Sequence, residues 1–94
     1  MSSVACVDNP EQSQFEARLE GQLVGLAAYR LTVDVIAFIH TEVAPEFEGR
    51  GVGSQLAKYA LDQVRSDGDL KVLPACPFIK WYMQENPEYG DLLV

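Results

Sequence analysis

Long apolar runs are missing from this chain of 94 residues. The longest, at residues 23–29 and 35–39, fall far short of the ~20 residues that a membrane-spanning helix needs, so no membrane partner is expected. Cysteine is scarce, and Cys6 and Cys76 allow one disulfide at most. Cys6 stands in a polar N-terminal stretch, so two free thiols in a reducing, intracellular (cytoplasmic) setting are the expected state. The first six residues carry no basic segment followed by an apolar one, so they do not read as a secretory signal. Positive charge is also short: 7 basic residues against 14 acidic ones give a net charge of −7. Non-specific binding to DNA or RNA draws on Lys and Arg at phosphates, so direct nucleic-acid binding is not expected. An acidic surface instead favours a cationic partner such as an amine. No metal-ligating residues are assigned, and oligomeric state is not legible.

The remaining composition, 48% hydrophobic and 22% charged, suits one small globular domain. Residues 1–12 have little apolar content and include Asp8, Asn9 and Pro10, so they read as a flexible leader before a single domain at 13–94. From 13 to 19 apolar and polar residues alternate, with Phe15, Ala17 and Leu19 facing one way and Gln14, Glu16 and Arg18 the other. That is the period of a half-buried strand. Glu20 and Gly21 read as a hairpin turn into a second strand at 23–31, and a third follows at 35–43. Short connections between the three imply an antiparallel meander.

From Gly51 the period changes. Val52, Leu56, Tyr59, Ala60 and Val64 form a helical stripe, and Gln55, Lys58, Asp62 and Arg65 take the other face. Gly68 suits a left-handed helix cap. A short strand at 70–75 precedes a second helix, which opens at Pro77 and runs to about Glu85, ahead of Pro87. The order β-β-β-α-β-α predicts an α+β fold, a meander followed by β-α-β-α, and not a doubly wound sheet.

Between the third strand and the first helix lie Glu48, Gly49, Arg50, Gly51, Val52, Gly53 and Ser54. Glycines at alternate positions let the backbone approach a ligand closely. The helix start that follows offers unpaired N–H groups and the positive end of its dipole, an anion site suited to a diphosphate. A nucleoside triphosphate P-loop would need a Lys followed by Ser or Thr, which is absent. A Rossmann fingerprint would need a third glycine where Ser54 stands, on a βαβ unit that the meander does not provide.

The segment 48–53 resembles motif A of the Gcn5-related N-acetyltransferases (GNAT), Q/R-x-x-G-x-G/A, with Gly51 and Gly53 at the two small positions and Glu48 in place of Gln or Arg. Together with His40-Thr41-Glu42-Val43, Leu73-Pro74-Ala75-Cys76-Pro77-Phe78 and Asn86-Pro87-Glu88-Tyr89, it is similar to a short single-domain subfamily that lacks the usual N-terminal helices. The resemblance implies a minimal GNAT-like fold and transfer of an acetyl group from acetyl-CoA to a primary amine: a lysine, a peptide N-terminus or a small amine. It implies that coenzyme A is held by Glu42, Val43 and residues 48–54. Cys76, closing the strand before the second helix, is a candidate nucleophile for an acyl-cysteine route, or else a cysteine that fills space. For direct attack, His40 and Glu42, on one face of the third strand, are candidate bases. Tyr82 is the candidate acid for the leaving thiolate, and Lys58 and Lys80 the candidates for the 3′-phosphate. A module that binds CoA or acyl-CoA with little or no catalysis is the alternative, and an interaction domain acting through its acidic surface is a third.

Overall fold

The computed structural model describes residues 4–94. Five strands, β1 (Ala5–Asn9), β2 (Gln14–Leu19), β3 (Gln22–Leu31), β4 (Val35–Val43) and β5 (Lys71–Pro74), form one sheet in chain order. Helix α1 (Val52–Asp67) joins β4 to β5, and α2 (Pro77–Glu85) follows. The first four strands are antiparallel neighbours, and β5 runs parallel to β4. The fold is α+β, in the order β-β-β-β-α-β-α, one strand more than the sequence indicates.

The added strand lies inside the segment read as a flexible leader. Residues 5–9 pair with 14–18 along their whole length. Apolar periodicity gives no sign of β1 because polar side chains hold its C-terminal end. The Tyr29 hydroxyl donates to Asp8 Oδ1 at 2.7 Å, and Asn9 Nδ2 donates to Glu16 Oε2 at 2.9 Å. The β2–β3 hairpin forms because Glu20 and Gly21 both take positive φ (51° and 83°), the twist that a two-residue turn between antiparallel strands requires.

The α1 stripe places Val52, Leu56, Ala60 and Val64 in the core with Ala57 and Leu61. They meet Phe15, Ala17, Ala27, Phe38 and Val72 of the sheet and Ile79 and Met83 of α2 in a single cluster. Tyr59 is half-buried, edge-on to Phe15 at 6.0 Å. Gly68 (φ 83°) closes α1, its N–H reaching the Val64 carbonyl at 3.3 Å. Pro77 opens α2, whose first turn lacks use for its missing N–H. α2 packs beside α1 over β4 and β5, and α1 crosses β1 to β4, so the helices share one face of the sheet. Among the described residues no helix covers the other face, where Glu16, Arg18, His40 and Glu42 lie.

Candidate active site

The last paired residues of the parallel ladder are Phe38 and Pro74. The Cys76 N–H then donates to the Phe38 carbonyl at 2.7 Å, while Ala75 N–H bonds the Leu73 carbonyl at 3.0 Å, turning the chain tightly at Pro74. β4 continues to Val43, whereas the chain after β5 turns away into α2. The two strands therefore diverge, leaving one edge of residues 39–43 without a ladder partner.

Where they part, β4 is irregular. Ala28 pairs with His40 and Tyr29 with Phe38, so Ile39 is an extra residue. A bulge of this kind changes which residues face each side. Before it, Ile36 and Phe38 point into the core; after it, Thr41 and Val43 take the helix side, opposite Ala27 and Gly25. His40 and Glu42 consequently share the open face, 60% and 63% exposed, with Nε2 and Oε2 2.9 Å apart.

Beyond Val43 the Ala44 N–H keeps a bond to the Val24 carbonyl at 2.8 Å, and a short 3-10 turn (Pro45–Phe47) leads to the glycine loop. Gly49 and Gly51 stand at φ 80° and 79° with open space where a Cβ would be, so backbone conformation alone demands glycine there. Gly53 is small for another reason: a Cβ would lie 3.0 Å from Phe78 Cζ. No side chain caps α1, and its first intrahelical bond is Gln55 N–H to the Gly51 carbonyl. The N–H groups of Val52, Gly53 and Ser54 thus have no helical acceptor, as an anion site requires.

These residues border a cleft of about 340 Å³ lined by Thr41, Val43, Phe47, Glu48, Phe78 and the loop from Gly49 to Ser54, Arg50 excepted. Arg50 is exposed, its guanidinium 5.4 Å from the centre of the Phe47 ring. Glu42 instead borders a smaller depression of about 200 Å³ with Leu23, Leu26 and Pro45. Cys76, 3% exposed, sits behind the cleft wall, with Sγ 3.3 Å from Thr41 Oγ1. Thr41 is the side chain that connects cleft and sulfur, and the sequence reading missed its role. Period-two alternation marks Thr41 only as the neighbour of His40 and Glu42, and the bulge decides which of them faces the cleft. Phe47 and Phe78 were likewise missed.

The structure does not bring Tyr82 to the cleft. Its ring lies 6.2 Å from Tyr89, and burial raises its hydroxyl pKa above the ordinary value. Lys58 is held by Asp62 at 2.9 Å, and Asp62 also accepts the Tyr89 hydroxyl at 2.7 Å. Lys80 is exposed on α2 with no ion-pair partner among the described residues. Both cysteines are free.

A parallel strand pair opens here beside a glycine loop and an uncapped helix start, within an α+β sheet that matches the fold of a GCN5-like N-acetyltransferase. The chain belongs to the family described as GCN5-related N-acetyl-transferase, which it matches over residues 14–92. Within that family it groups with short relatives. It is 40% identical over 91 residues to Protein NATD1 of Xenopus tropicalis, covering 92% of this chain and 80% of that one. It is 39% identical over 80 residues to Protein NATD1 of Mus musculus, covering 82% and 71%. Among solved structures, a GCN5-like protein from Staphylococcus aureus superposes with a TM-score of 0.71 at 28% identity, covering 100% of this chain and 91% of that one. The ribosomal-protein-S18-alanine N-acetyltransferase of Escherichia coli shares the fold at a TM-score of 0.63 and 17% identity, covering 79% of this chain and 50% of that one.

Proposed function

We propose that this chain transfers an acetyl group from acetyl-CoA to a primary amine: a lysine side chain, a peptide N-terminus or a small amine. The observation that carries the reading is the run of free amides at 52–54, opening onto a cleft that leads to the divergence of β4 and β5. The pyrophosphate would rest on those amides, because paired oxyanions gain most from N–H groups already fixed in space. Pantetheine would follow Val43 and Thr41, and the thioester would reach the gap beside Phe38 and Cys76.

In direct transfer the amine enters from the open face and attacks the thioester carbon. The carbon–sulfur bond breaks, and the proton lost by the nitrogen reaches the CoA thiolate. The His40–Glu42 pair is the titratable group on that face nearest the gap along β4, which supports it as the base. In the alternative route Cys76 Sγ attacks first and CoA leaves as the free thiol; the amine then attacks the acetyl-cysteine and restores the Cys76 thiol. The contact with Thr41 supports this route by giving the sulfur a fixed polar partner at the cleft wall. Two free thiols fit an intracellular setting for either.

One observation favours the binding-module reading. Tyr82 stands away from the cleft, leaving the departing thiolate without that acid. Turnover separates the readings. Thiol release from acetyl-CoA in the presence of an amine panel, above the level without amine, is the result expected of an acetyltransferase. A thermal shift with CoA and no amine-dependent release would assign a binding module, and no shift would remove both.

A further inference from the structure

α2 carries an aromatic surface that the acyl-transfer chemistry does not use. Trp81 is 49% exposed, and its ring centre lies 5.7 Å from that of Phe78, three residues earlier on the same helix side. Phe78 in turn lines the cleft and presses against Gly53. The cleft wall at Phe78 is therefore followed by the Trp81 ring on the outer side of α2. Lys80, beside Trp81, is exposed and has no ion-pair partner among the described residues, whereas Lys58 is tied to Asp62.

We infer that Trp81 is the platform on which the adenine ring of CoA stacks, with Lys80 meeting the phosphate on its ribose. This rests on the pyrophosphate lying at residues 52–54, as proposed above. From that point the nucleotide must leave the cleft, either past Phe47 in its lining or past Phe78, beyond which Trp81 lies. Phe47 has Arg50 stacked near its ring at 5.4 Å, while the Trp81 ring is half open to solvent. Indole offers the larger flat surface, and a purine covers it without needing hydrogen-bond partners. The acidic chain gains from a free lysine here, because a dianionic phosphate would otherwise meet a net negative surface.

Trp81 is the only tryptophan, so its emission reports the contact directly. Titration with CoA or with 3′,5′-ADP is expected to quench it saturably, and 4′-phosphopantetheine, which lacks the base, to leave it unchanged. Trp81→Ala should weaken CoA binding by calorimetry roughly ten-fold, within the usual range for loss of one base–aromatic stack. Its affinity for 4′-phosphopantetheine should stay as it was. A thermal shift with CoA, together with unmoved Trp81 emission and an unaltered affinity in Trp81→Ala, would overturn the inference and place adenine elsewhere, with Phe47 the next candidate. Loss of 4′-phosphopantetheine binding in Trp81→Ala would also overturn it, since the tryptophan would then be supporting the cleft. No response to CoA by any readout would instead defeat the functional reading on which the inference rests.

Discussion

Thr41 Oγ1 lies 3.3 Å from Cys76 Sγ, a contact between residues 35 apart in sequence that ties β4 to the start of α2 where the parallel strands β4 and β5 separate. It forms because Cys76 is already anchored by its N–H to the Phe38 carbonyl, and because the extra residue Ile39 turns Thr41 to the helix side. Thr41→Val keeps the side-chain volume and removes the hydroxyl. It is expected to cost about 0.5–1 kcal/mol of unfolding free energy. If acetyl-cysteine forms, intact-mass analysis after mixing with acetyl-CoA should show the adduct accumulating more slowly in Thr41→Val, and at near the parent rate in Thr41→Ser. No adduct in the parent, with normal turnover by Cys76→Ala, would leave direct attack alone.

The two motif glycines should fail for different reasons. Gly51→Ala places a Cβ at φ 79° and is expected to destabilise by about 1–2 kcal/mol, whatever else is changed. In Gly53→Ala, helix propensity gains roughly 1 kcal/mol, but the new methyl meets Phe78 at 3.0 Å. Its effect should therefore depend on Phe78, turning from weakened CoA binding to near-parental binding when Phe78→Leu is added. Urea unfolding and calorimetry on the single and double variants separate the two causes.

The helices were legible in the sequence because their ends carry their own punctuation: Gly68, Pro77 and Pro87 mark boundaries that hold in the structure within a residue or two. The shape of the glycine loop was legible for a similar reason, since Gly49 and Gly51 mark the two positions that take positive φ ahead of α1. β1 was not, because Asp8 and Asn9 hold it through polar partners, Tyr29 and Glu16, which apolar periodicity does not register. Nor was the facing of Thr41, Glu42 and His40 relative to the cleft. Alternation groups His40 with Glu42 but cannot tell which side they share once Ile39 has reset the count. Tyr82 counts as one turn into α2 in sequence, yet packing against Tyr89 directs it away from the cleft.

Removal of residues 1–12 tests whether that segment is structural. A flexible leader would be lost without consequence. Loss of β1 should instead lower the melting temperature by several degrees, as expected when a small domain loses more than about 1 kcal/mol. Tyr29→Phe, which removes only the hydroxyl bonded to Asp8, is expected to reproduce part of that loss, about 0.5–1.5 kcal/mol.

Glu16 sets a pH dependence. It is 3% exposed on the open sheet face, covered by its own partners Gln14, Asn9 and Arg18. The hydrogen bond from Gln14, then those from Asn9 and Arg18, hold its pKa below the ordinary value of 4.5 against the opposing effect of burial. A carboxylate whose folded pKa is lowered stabilises the fold above its unfolded pKa and loses that contribution as pH falls through the folded value. Stability should therefore decline below about pH 4.5, as this carboxylate takes up a proton. Glu16→Gln should flatten that decline while lowering stability at neutral pH. Parallel acid-unfolding curves for the two proteins provide the check.

Amide chemical-shift mapping during titration with CoA reads the proposed pyrophosphate site residue by residue. Saturable shifts are expected at the Gly51, Val52, Gly53 and Ser54 amides, with further changes at Thr41 and Val43. Shifts confined to another part of the protein, with residues 51–54 unmoved at saturation, would contradict that placement.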